Sequence, residues 1–284
     1  MSSVTTAEGN TLYYECHRPE GQAKLPVVFS CAYCTTHENW RAQVAPLVAA
    51  GHPVVLWDLR GHGDSPAPEG GPPWSIENVV ADLLAVVDAA IPGMRFVASG
   101  LSFGGLASLH FMLRHPERVA ALALFGSGPG FKNREAAEGW AAQVERTARF
   151  LEERGFADFI AGRAGTTCIG SRPELPAAQA AANPIVSQAV PGVARFGREV
   201  SGPAPPVIDA LGAMNVPALV LVGEHDKAFL RAGEVMAAKL PKARHVVVPE
   251  AGHIVNIEQA EVFDRELLSF LDGLAEERLV EGEA

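Results

Sequence analysis

The sequence predicts an α/β protein in which a doubly wound, mostly parallel sheet carries an inserted helical segment. Three observations lead there. Short, continuously apolar runs recur at residues 26–30, 52–57, 119–125 and 217–222. Runs of that length without polar alternation belong to strands covered on both faces. Between them lie stretches with helical apolar spacing, of which 75–88 is the clearest, and strands alternating with helices build parallel sheets. Residues 126–216 then interrupt the alternation, and a gap that long inside a sheet implies a subdomain rather than a connection.

Taken in order, residues 4–15 alternate around the turn Glu8-Gly-Asn10 and predict an antiparallel hairpin at a sheet edge. The strand 26–30 opens the sheet interior. A helix over 39–50 stops at Gly51, the strand 52–57 follows, and a Pro/Gly-rich connection at 66–73 leads into the amphipathic helix 75–88. The strand 95–98 runs into Gly100-Leu-Ser-Phe-Gly104, after which 103–114 is helical in spacing. Strand, sharp turn and helix around G-x-S-x-G place Ser102 in a strained conformation, and small residues are needed two positions to either side, where the two backbones pass closely.

After the strand 119–125, residues 135–155 and 157–164 have helical patterns, and prolines from Pro173 to Pro206 divide what remains into short pieces. Trp140, Phe150, Phe156, Phe159, Ile160 and Phe196 make this segment too apolar for disorder. The strand 217–222 ends in Gly223-Glu-His-Asp226. A helix over 229–240, a last strand over 244–248, the run Pro249-Glu-Ala-Gly-His253 and a closing helix over 258–274 complete the chain, with an acidic tail from Glu276 expected to fray.

Composition narrows the function. The 284 residues are 48% hydrophobic, enough for a sizeable core. A net charge of −10 without any basic run disfavours nucleic acid and anionic membranes as partners. The first nine residues carry neither a basic leader nor an apolar stretch, so a cytoplasmic protein is expected. Of the four cysteines only Cys31 and Cys34 are closely spaced; with no second pair or nearby histidines, free thiols are expected and no metal site.

The serine turn in its strand–helix setting, together with Asp58-Leu-Arg-Gly-His-Gly-Asp-Ser65, which matches D-x-R-G-x-G-x-S, resembles the capped α/β-hydrolases, close in pattern to small esterases, lactonases and carbon–carbon bond hydrolases. The resemblance implies an α/β-hydrolase fold with residues 1–130 and 216–284 as core and 131–215 as a helical cap over the strand ends. It implies Ser102 as nucleophile, His253 as base, and Asp226 as the acid, with Glu224 and His225 as close rivals. That order, nucleophile, acid, histidine, is the one the fold requires. The oxyanion hole would use the backbone N–H of Phe103 and of Tyr33, with Ala32 or Cys34 as neighbours for the second position, because Cys31-Ala-Tyr33 stands where relatives carry His-Gly and a bulky residue. In the Asp58 turn, Asp58 and Arg60 would pair, and His62 reads as a loop histidine.

The implied activity is cleavage of a small-molecule carboxylic ester through an acyl-enzyme, without a cofactor. Lactone or carbon–carbon hydrolysis on the same triad, and a low-turnover receptor of the same fold, are the alternatives. A serine at the turn argues against the epoxide hydrolase and haloalkane dehalogenase branches, which use aspartate there. The oligomeric state is unreadable.

Overall fold

A computed structural model describes residues 2–68 and 70–282, with side chains to Leu274. Eight strands form one sheet in the order β1-β2-β4-β3-β5-β6-β7-β8. The hairpin of β1 (Ser2–Thr5) and β2 (Thr11–His17) turns at Gly9, whose φ of 83° suits glycine. It occupies one edge, and β2 pairs antiparallel with β4 (Val54–Trp57). From β4 onward every pairing is parallel: β3 (Val27–Ser30), β5 (Phe96–Leu101), β6 (Val119–Phe125), β7 (Pro217–Gly223) and the edge strand β8 (Lys242–Val248).

Every residue of β3, β4 and β5 is buried, which requires cover on both faces. Helices provide it. A 3-10 turn over His37–Trp40 leads into α1 (Arg41–Ala49), which packs against the closing helix α10 (Ala260–Gly282), itself preceded by the single turn α9 (Val255–Glu258). α2 (Ile76–Ala90) packs on α3 (Phe103–Arg114), which lies against β5 and β6, and α8 (Leu230–Lys239) covers β7 and β8. α2 begins with a reciprocal cap, the Ser75 N–H donating to Asn78 Oδ1 at 2.7 Å. The acidic tail from Glu276, expected above to fray, lies beyond the described side chains.

Between β6 and β7 the chain is helical: α4 (Arg134–Ala161), α5 (Thr166–Ile169), α6 (Pro176–Val186) and α7 (Val190–Phe196), followed by a π-turn over Gly197–Ser201. α4 breaks at Gly155 (φ 73°, ψ 176°), where the sequence predicts one helix to end and another to begin. Pro176 opens α6 and Pro191 lies in the first turn of α7, where a missing N–H costs nothing. Among the described residues, no helix is long and apolar enough to cross a membrane.

One pairing differs from expectation. Arg60 does not pair with Asp58. Its guanidinium forks onto Asp82 of α2, Nε to Oδ2 at 2.7 Å and Nη2 to Oδ1 at 2.8 Å, both side chains being buried. Asp58 instead accepts from the His37 N–H at 2.7 Å, the His37 ring at 2.8 Å and the Asp64 N–H at 2.9 Å. The turn folds back over Asp58, so closely that a Cβ on Gly63 would lie 2.3 Å from its carboxylate; this leaves Arg60 to point to the neighbouring helix.

Candidate active site

Ser102 lies between β5 and α3 with φ 54° and ψ −116°, a conformation that non-glycine residues rarely hold. The close passage expected of such a turn is present. A Cβ on Gly100 would sit 2.3 Å from the Gly104 carbonyl carbon, and one on Gly104 would sit 2.2 Å from the Ser30 carbonyl oxygen. Two backbone anchors hold the turn: the Ser102 N–H donates to the Phe125 carbonyl at 2.9 Å, and the Ser127 hydroxyl donates to the Ser102 carbonyl at 2.7 Å. Ser127 belongs to the Gly126-Ser-Gly-Pro-Gly130 loop, where nothing local in the sequence distinguishes it from any other loop serine.

At the far end of the same sheet edge, β7 and β8 deliver two further side chains. Asp226 is buried and its Oδ2 lies 2.8 Å from His253 Nδ1. Its rivals separate from it clearly. Glu224 and His225 are exposed, and Glu224 accepts the Glu250 N–H at 3.0 Å. Gly126 (φ 44°) lets the two partners meet, since a Cβ there would be 3.2 Å from both Asp226 Oδ2 and His253 Nδ1. Phe229 stacks on the His253 ring with centroids 4.9 Å apart.

Ser102, Asp226 and His253 line one cavity of about 220 Å³, with no hydrogen bond joining the serine to the imidazole. A second cavity of about 250 Å³ also opens at Ser102. Tyr33, Trp140, Ala228 and Phe229 border both, so the two are lobes of a single site. Trp140 of α4 is fixed there by its Nε1–H, which donates to the Ser201 carbonyl at 2.9 Å.

The loop after β3 brings Tyr33 to this site. Cys34, with φ 70°, donates its N–H to His62 Nε2 at 3.2 Å, so that N–H is engaged and Cys34 drops out as a candidate anion donor. The Cys34 carbonyl accepts from Gln188 Nε2 at 3.1 Å, while Gln188 Oε1 accepts the Gly63 N–H at 3.0 Å. Buried Gln188, between α6 and α7, thus clamps this loop to the Asp58 turn. Sequence reading missed it, because a glutamine in a short connection between prolines carries no local mark of a partner 154 residues away. His62 is fully buried against Phe196, and burial pulls its pKa from 6.5 to about 4, so it stays neutral, with Nδ1 donating to the Arg60 carbonyl.

The cysteines are free. Cys31 donates its S–H to the Trp57 carbonyl, and burial pushes the thiols of Cys31 and Cys34 well up and that of Cys168 to about 12. Among the described residues, two groups of histidine and carboxylate lie close enough to share a cation, Glu15–His37–Glu38 and His37–Asp58–Asp64. Their acceptors are already engaged. Arg41 takes Glu15 at 2.6 Å and Glu38 at 2.7 Å, and Asp58 holds the N–H groups described above.

Residues 26–260 match the α/β-hydrolase fold family model, and the chain belongs to that family. It is similar to 3-oxoadipate enol-lactonase 1 of Acinetobacter baylyi, 28% identical with 92% of each chain covered. It is also similar to a pimeloyl-[acyl-carrier protein] methyl ester esterase of Chromobacterium violaceum, 30% identical over 83% of this chain and 90% of that one. Among solved structures, a thermophilic esterase from Thermogutta terrifontis superposes with a TM-score of 0.80 at 26% identity, covering 96% of this chain and 98% of that one.

Proposed function

We propose that this member of the α/β-hydrolase family is a serine hydrolase that cleaves carboxylic esters of small molecules through an acyl-enzyme, with residues 131–215 acting as a cap over a core of 1–130 and 216–284. The observation that carries the reading is the 2.8 Å contact of Asp226 with His253 beside a cavity bordered by the strained Ser102. Ser102 Oγ attacks the ester carbonyl as His253 Nε2 takes its proton. Asp226 keeps the imidazole in the Nδ1–H tautomer and stabilises the imidazolium. Serine–histidine hydrogen bonds often tighten only when substrate is bound, so a looser arrangement in the free enzyme fits this role.

The oxyanion faces the N–H of Phe103, at the start of α3, and the N–H of Tyr33, each donor contributing about 3 kcal/mol in the transition state. His253 then protonates the leaving alcohol and activates the water that releases the acid. Names of relatives that include enol-lactonase favour lactone opening as the second reading, since it passes through the same oxyanion.

A fluorophosphonate probe should label Ser102, and Ser102→Ala should lose both labelling and turnover while keeping its fold. Asp226→Asn should lower kcat by about four orders of magnitude and Glu224→Gln should change it little. Labelling that persists in Ser102→Ala, or the reverse ranking of the two acids, refutes the assignment.

A further inference from the structure

The two lobes that meet at Ser102 differ in chemistry. The larger, about 250 Å³, is walled by Leu106 of α3, Phe131, Trp140, Phe229 and Ala232 of α8, with no charged side chain among the described residues. The smaller, about 220 Å³, is also walled in part by apolar side chains, Val144 and Phe159 among them, but it alone includes Gln143, Thr147 and Thr167 and the paired Asp226 and His253. Arg198, whose charge reaches the Tyr33 hydroxyl, is held by Glu145 and Glu152 and is not available to a ligand.

We propose that the apolar lobe takes the acyl part and the polar lobe the alcohol part of a neutral ester, so that the enzyme rejects esters carrying a carboxylate at the far end of the acyl chain. The inference rests on Ser102 and His253 acting as nucleophile and base. His253 must protonate the departing oxygen, and it borders only the polar lobe, which puts the alcohol there. With the alcohol in that lobe, the acyl substituent is left the other lobe that opens at Ser102, the apolar one. A lobe of about 250 Å³ exceeds the ~150 Å³ cavity that holds benzene, so a hexanoyl or phenylacetyl group fits. A carboxylate carried into it would leave water and meet no cation, a loss that ordinary desolvation costs place at about 100-fold or more in kcat/KM.

The test pairs substrates of equal length. p-Nitrophenyl hexanoate and mono-p-nitrophenyl adipate differ only in a terminal methyl against a carboxylate, and the hexanoate should be favoured by at least about 100-fold in kcat/KM. Ala232→Arg, which sets a guanidinium in the apolar lobe, should narrow that ratio at least tenfold by raising adipate turnover. For orientation, 1-monohexanoylglycerol should be cleaved at least tenfold better than hexyl glycerate, in which the polar part lies on the acyl side. Comparable rates for hexanoate and adipate in the wild type overturn the substrate class, and equal or reversed rates for the second pair overturn the lobe assignment. Fluorophosphonate labelling of Ser102 separates these outcomes from failure of the underlying reading: a protein that is unlabelled and turns over neither ester overturns both.

Discussion

His62 should make the stability of this protein depend on pH between about 4 and 6.5. In the fold its ring is fully buried, donates through Nδ1 to the Arg60 carbonyl and accepts the Cys34 N–H at Nε2, and burial draws its pKa from 6.5 to about 4. Between those values the unfolded chain binds a proton that the native ring refuses. The stabilising contribution is therefore complete above about pH 6.5 and is lost as pH falls toward 4. Integrating the linkage from pH 7.5 to pH 5 gives a loss of about 2 kcal/mol from this residue alone. His62→Gln keeps an acceptor for the Cys34 N–H and cannot titrate, so it lacks this slope. Urea denaturation of wild type and His62→Gln at pH 7.5, 6 and 5 should show the stability difference shifting toward the variant by about 2 kcal/mol, with carboxylate contributions cancelling in the comparison. Parallel stability curves would refute the account of a neutral buried imidazole under the Cys34 loop.

Other perturbations have equally definite outcomes. Asp82→Ala leaves the buried Arg60 guanidinium without its forked partner and should cost about 3–5 kcal/mol in urea denaturation, whereas Asp64→Ala, which removes an exposed carboxylate, should cost little; equal effects would refute the pairing. Gln188→Ala unpairs the Cys34 carbonyl and the Gly63 N–H and should lower stability by about 1–3 kcal/mol, with kcat for an ester falling more than KM rises; an unchanged kcat would separate the clamp from the proposed role of the Tyr33 loop. Cys31→Ser and Cys34→Ser should each keep kcat within about tenfold, because the backbone donors survive. Native protein should resist iodoacetamide at both positions, as read by mass spectrometry, since the thiols are buried and held protonated; rapid modification would contradict their environment.

Local pattern in the chain was enough for much of this architecture. Continuous apolar runs announce strands covered on both faces, and the structure buries all of β3, β4 and β5. Gly100 and Gly104 announce the tight strand-to-helix turn, because only a missing side chain permits the approach found there. Gly155 marks the break inside α4 for a different reason: nothing crowds it, and its φ of 73° is a conformation that glycine holds without strain. These signals are readable because each depends on residues a few positions apart.

What the sequence left open turns on partners brought together from far along the chain. Asp226, Glu224 and His225 occupy one short loop, and spacing alone points to Asp226 over its two neighbours; the path of β7 and β8 is what buries Asp226 against His253 and leaves the others in solvent. Asp58 and Arg60 look paired at their spacing, yet the turn points them apart, one to His37 and the other to Asp82. The hold of His62 on Cys34 spans 28 residues and that of Gln188 spans 154, and the apolar and polar lobes at Ser102 likewise draw on segments far apart in the chain. Side-chain type sets what each group can bond to, but which bond forms is decided by packing, and packing exists only once the chain has folded.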